Sequence, residues 1–165
     1  MIPALFASVF IVLCLYAAVK DVETLTISNG LNAIIAFLFI PAVIITAPGW
    51  DVAGAHLLAG LAAFAISVLL FSLGVFGGGD AKMIPGVMLW LGPAAAIPFM
   101  TAMAVLGGLL ALTVILARRF VPAHIAPAFA RETLLPGNGV PYGVAIAGGA
   151  IYSMPFSPLL SYLNF

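Results

Sequence analysis

The sequence predicts an all-α, polytopic membrane protein of six transmembrane helices with both termini outside the cytoplasm. Three observations predict it. Hydrophobic residues make up 65% of the 165-residue chain and charged residues 6%, with a mean hydropathy of +1.30. A soluble domain carries about 25% charged residues. Apolar stretches of membrane-crossing character alternate with glycine, proline and charged breaks. Finally, six crossings put every Lys and Arg on one side of the bilayer. The formal net charge of zero gives no sign of nucleic-acid binding.

The first stretch, Ile2–Val19, is closed by Lys20-Asp21-Val22-Glu23. No Lys or Arg precedes Lys20 and the run is too long for a signal-peptide core, so it reads as a retained helix. The second is Leu31–Ala47, closed by Pro48-Gly49-Trp50-Asp51, with Asn29 expected to cap it. The third, Ala55–Leu73, ends at the glycine run Gly77–Gly79. The fourth, Ala81–Leu91, rises only about 17 Å against a hydrocarbon core of about 30 Å. A single helix over 81–117 would be about 55 Å long, so two spans with a turn at Gly92-Pro93 fit better. The fifth is Ala95–Ala117, closed by Arg118-Arg119; 118–139 is the longest polar segment; the sixth stretch is Val140–Leu163. Residues 1–165 read as one membrane-embedded domain with no room for a separate soluble one.

With this count Lys20, Lys82, Arg118, Arg119 and Arg131 share one side, which marks it as cytoplasmic, and Asp51 lies opposite in a loop. Trp50 and Trp90 suit interfacial positions. Asp21 follows the first helix and Asp80 precedes the fourth. Both therefore lie at the cytoplasmic face, and they can meet if those two helices pack together.

Acidic groups at membrane depth point to function. Two carboxylates within reach cannot both ionise cheaply; one keeps a proton. The ionised member can then take a proton from water, which attacks a peptide carbonyl, while the protonated member polarises that carbonyl and assists the leaving amine. This chemistry calls for no metal or organic cofactor. The glycines Gly77, Gly78 and Gly79 before Asp80 permit close approach of a second backbone; the competing reading is helix packing through Gly74 and Gly78. Lys82 could balance local charge or contact substrate, or serve as a positive-inside anchor. Glu23 could be a third acid but suits a solvated loop charge better. Cys14, the single cysteine, reads as a packing residue.

Asp21 with Ile27-Ser28-Asn29, the run Gly77-Gly78-Gly79-Asp80-Ala81-Lys82, and Pro141-Tyr142-Gly143 occur in that order. Together they resemble the type IV prepilin peptidase family of GxGD membrane aspartyl proteases. The resemblance implies that Asp21 and Asp80 are catalytic and that the substrate is a prepilin or pseudopilin. It further implies removal of a short basic leader at the cytoplasmic face of a bacterial inner membrane, with pilus assembly machinery as a possible partner. Larger members carry a cysteine-rich zinc segment and methylate the new N-terminus; here a lone cysteine implies a peptidase without methyltransferase activity. The short form resembles the peptidases of tight-adherence (Flp-type) systems. Ser28 stands where the family usually has a proline.

Rival classes fit less well. His56 and His124 form no HExxH pattern. Ser67 and Ser72 have no histidine at their expected depth. Presenilin-like proteases share the GxGD element but hold their other aspartate within a helix. A non-enzymatic small transporter, or an assembly subunit of a pilus or secretion machine, is the competing non-enzyme reading.

Overall fold

The computed structural model describes residues 2–121 and 125–162. Its helices are α1 (Ile2–Thr24), α2 (Asn29–Phe37), α3 (Phe39–Thr46), α4 (Trp50–Ser72), α5 (Gly78–Leu91), α6 (Ala96–Phe120), α7 (Arg131–Leu134), α8 (Tyr142–Ser153) and α9 (Pro158–Tyr162). Among the described residues there is no strand. His124 and Leu163 lie outside the described residues.

Helix α1 runs past Val19 through the charged residues. Lys20 and Glu23 pair at 2.8 Å across one turn, a spacing that supports helix, and the chain leaves the helix where Leu25 turns left-handed (φ +51°). Asp21 therefore lies inside the last turns of α1, not after it. At the start of α2 the cap is Ser28, whose Oγ accepts the Leu31 N–H at 3.2 Å. Asn29, expected as the cap, is instead the first helical residue. The second apolar stretch breaks at Leu38 because Pro41 has no N–H for the Phe37 carbonyl.

Helix α4 begins at Trp50, so Asp51 is not a loop residue. It sits in the first helical turn, where a carboxylate complements the helix dipole. The sixth stretch is not one helix either: after Ser153 a 3-10 turn spans Met154–Phe156 and α9 follows, since Pro155 and Pro158 cannot continue α8.

Among the described residues, four helical segments are long and apolar enough to cross a membrane: Ala4–Thr24, Asn29–Thr46, Trp50–Ser72 and Pro93–Phe120. Their outward side chains, among them Ile44, Leu58, Ile97 and Ile115, are apolar and exposed, as a protein solvated by lipid requires. Helices α5 and α8, with 14 and 12 residues, are too short at about 1.5 Å per residue to match those lengths. They are the inner pair. α5 packs against α4, α2 and α8, and α8 against α6, α1 and α5.

The core lies around Trp90, which stacks on Phe10 at 4.9 Å and meets the edge of Phe39 at 6.3 Å. Its indole N–H donates to the Ile35 carbonyl at 2.8 Å. The expectation of an interfacial Trp90 is thus overturned: it ends an inner helix and is fully buried. Trp50, by contrast, is 94% exposed at the start of α4. Cys14 is buried in the core, as a packing residue would be. Helices α6 and α8 approach at Gly149, where a Cβ would stand 3.1 Å from the Met103 backbone nitrogen; small residues give membrane helices this proximity. Gly74 plays no such part. It ends α4 at φ +73° with nothing near its Cβ position, a turn and not a packing site.

Candidate active site

The stacking of Phe10 on Trp90 sets the register between α1 and α5. Asp21 lies eleven residues beyond Phe10, a rise of about 16 Å; Asp80 lies ten residues before Trp90, a rise of about 15 Å. Because the two helices run in opposite directions, these equal rises carry both aspartates to the same end of the bundle. The inner helix α8 also begins there and lies against both α1 and α5.

Asp21 is buried. Its Oδ2 accepts the backbone N–H of Gly143 at 2.7 Å. Gly143 is the second residue of α8, after the cap position at Pro141. The first N–H groups of a helix have no partner within it, so a carboxylate from α1 supplies one, in the place where the helix dipole favours negative charge. A side chain at 143 would block this. Its Cβ would stand 3.0 Å from both Cβ and Oδ2 of Asp21 and 3.0 Å from Cδ1 of Ile27.

Asp80 occupies the third position of α5, with Gly77 as the cap residue. Its carboxylate accepts the Gly77 N–H, the half of a capping box in which the third residue reaches back to the cap. The glycine run therefore has a local cause: it forms the turn that folds Asp80 onto the start of its own helix. Gly79 lets the chain pass close to Ile27, with a Cβ position 3.3 Å from the Ile27 nitrogen. Ile27 is buried between the starts of α5 and α8, against Gly79 on one side and Gly143, the partner of Asp21, on the other.

Asp80 is half-buried. Loss of water contact and, second to it, the negative charge of Asp21 push its pKa up to about 7, against the opposing pull of the Gly77 N–H. One carboxyl of the pair thus holds a proton near neutral pH, the condition for one acid and one base in a shared site.

The other charged candidates are placed elsewhere. Lys82 follows Asp80 by two residues, about 200° around the helix, and its Nζ donates to Asn29 Oδ1 at 2.8 Å. It ties α5 to α2 and does not face the aspartates' side of α5. Glu23 is held by Lys20.

Ile27 and Gly143 stood in the sequence only as parts of motifs, with no role at the site, and Thr133 was passed over. The Thr133 hydroxyl donates to the Val22 carbonyl at 2.8 Å, one residue from Asp21. The Arg118 guanidinium donates to the carbonyls of Thr133 (3.0 and 2.7 Å) and Gly139 (2.7 Å). Described parts of 118–139 are thereby fastened over the aspartate end. The advance signals were the motif positions of Ile27 and Gly143; Thr133 had none.

A family model, the type IV leader peptidase family, matches residues 8–112. The matched region includes both Asp21 and Asp80 and ends before α8. No curated protein and no solved structure matches the chain.

Proposed function

The chain belongs to the type IV leader peptidase family, and on that premise we propose that it is an aspartic endopeptidase whose catalytic pair is Asp21 and Asp80. The observation that carries this reading is their convergence from positions 59 residues apart, close enough for the charge of Asp21 to add to burial in holding the proton on Asp80. The ionised carboxylate removes a proton from water as the oxygen attacks the scissile carbonyl. The protonated carboxyl gives its proton to that carbonyl oxygen; as the tetrahedral intermediate collapses, the carboxyl that took the proton from water passes it to the leaving amine, and a hydroxyl of the intermediate returns a proton to the other carboxylate. The pair titrates as a unit, so base and acid are roles of the pair. Gly77, Gly78 and Gly79 shape the site by forming the cap turn, and Lys82 holds α2 against α5 beside it.

The proposed substrate is a prepilin or pseudopilin of the Flp type, cut between its basic leader and its apolar helix. The proposed setting is a bacterial inner membrane with the site at the cytoplasmic face. Support comes from charge: Lys20, Lys82 and Arg118 stand at the helix ends that carry or adjoin the aspartates. N-methyltransferase activity is not part of the proposal, since Cys14 is the single cysteine and is buried in the core.

Co-expression with candidate Flp-type pilins, read as loss of leader mass, tests the reading. Asp21→Asn and Asp80→Asn should each lower processing by about 10²–10⁴-fold while the protein still inserts and folds. Processing by either variant at the wild-type rate would overturn the dyad.

A further inference from the structure

A cleft of about 460 Å³ opens between α2 and α4 with α5 as its floor. It is polar at one end only. Asn29 and Lys82 stand at its mouth, and Asn32 lies one turn deeper. Beyond them the lining is apolar: Ala36, Leu57 and Leu89 are shared with a second cavity of about 460 Å³ that continues between α3 and α4 to Ile44 and Trp50. The two form one groove along the bundle. From Asn29 to Ile44 the helices rise about 22 Å, more than the roughly 15 Å depth of one leaflet, half of a 30 Å core.

Asn32 is the second observation. It is 7% exposed, and neither its Nδ2 nor its Oδ1 has a hydrogen-bond partner. A buried amide left unpaired is costly, so a ligand that supplies both an acceptor and a donor would be held there. Lys82 adds a positive charge, and among the described residues of the groove there is no carboxylate.

We propose that this groove binds one anionic glycerophospholipid, with phosphate on Lys82, the hydroxylated head and ester region on Asn32, and an acyl chain along Ala36, Leu57 and Leu89. The charge favours this occupant over a pilin, whose proposed leader is basic and would be repelled by Lys82. The site is separate from the aspartate pair. Lys82, Pro85, Gly86 and Leu89 fall on one face of α5, centred roughly opposite Asp80 at about 100° per residue. Only the exclusion of a pilin rests on the peptidase reading; the lipid site itself does not.

Native mass spectrometry of the detergent-purified full chain tests it, with phosphatidylglycerol and phosphatidylcholine of matched chains as probes. Wild type should retain phosphatidylglycerol about fivefold more strongly, the scale of one lysine near an anionic headgroup. Lys82→Gln should remove that preference, and Asn32→Leu should weaken retention of phosphatidylglycerol. Ala33→Trp, which fills the groove, should lower retention of both lipids. Ala102→Trp, in a different cavity beside Tyr152, should change nothing, and Asp80→Asn should bind as wild type. Equal retention of the two lipids by wild type would overturn the proposal. So would a preference that survives Ala33→Trp, or displacement of the bound lipid by a pilin peptide.

Discussion

Gly143→Ala isolates the contact on which the site geometry turns. The new Cβ would stand 3.0 Å from Asp21 Cβ, 3.0 Å from Asp21 Oδ2 and 3.0 Å from Ile27 Cδ1. Each distance is a few tenths of an ångström too short, and the three act from α1 and its following loop at once. Asp21 Cβ is fixed by its helix, so relief must come from α8 moving away. That movement lengthens the 2.7 Å hydrogen bond from Gly143 to Asp21. A hydrogen bond to a charged group contributes about 1.5–3 kcal/mol, so losing its alignment should lower the rate of leader removal by about 10- to 150-fold. Stability should change less, because overpacking of about 1–3 kcal/mol is offset by the helix preference of Ala over Gly, about 1 kcal/mol. The assay is leader removal from a co-reconstituted pilin, followed by mass, beside thermal unfolding in the same detergent. Gly108→Ala is the control: it lies in α6 with nothing near its Cβ position and should leave the rate unchanged. A Gly143→Ala protein that cleaves at the wild-type rate would refute the argument. So would one whose loss of rate merely tracks its loss of folded protein.

The remaining predictions concern pH and the far end of α5. Asp80 keeps its proton up to about pH 7 because burial and the Asp21 charge both disfavour its ionised form. The pH–rate profile should therefore fall on the alkaline side near that value, and a rate that is flat from pH 6 to about pH 9 would contradict the shared-proton pair. Linkage gives the matching stability trend. The folded-state pKa lies above the ordinary carboxylate value of 3.8, so this group's contribution is fully present below about pH 4 and is lost as pH rises through about 7. Asp80→Asn should flatten that part of the unfolding-temperature profile. Gly92→Ala should cost about 1–3 kcal/mol of backbone strain, since Gly92 has φ +70° and its Cβ would collide with the His56 ring at 2.5 Å. Gly92 lies about 18 Å along α5 from Asp80, so the unfolding temperature should fall while leader removal at low temperature persists; a lost rate without lost stability would contradict this.

Composition and apolar runs determined that the chain is helical and membrane-bound, because long apolar runs in lipid satisfy their backbone within the segment as helices, whereas barrel strands are short and alternate in polarity. Asp21 and Asp80 stood out as candidates for the same reason: a carboxylate beside long apolar runs stands out against its neighbours. The positions of the glycine run and of Pro141-Tyr142-Gly143 were legible as pattern. Their physical work was not. That Gly77 caps the turn carrying Asp80, and that Gly143 donates to Asp21, depends on α8 starting against α1, a contact across 122 residues. Local sequence likewise could not show that Trp90 is central and Trp50 peripheral, since both follow apolar runs and differ only in which helices surround them. Nor could it show that Asn29 would leave the cap to Ser28 and meet Lys82 instead, or that Asn32 would be buried without a partner. Periodicity reports which residues share a face of one helix. Which face meets which neighbour, and at what height, is set by packing between helices that are distant in the chain, and that packing is what brings two acids together here.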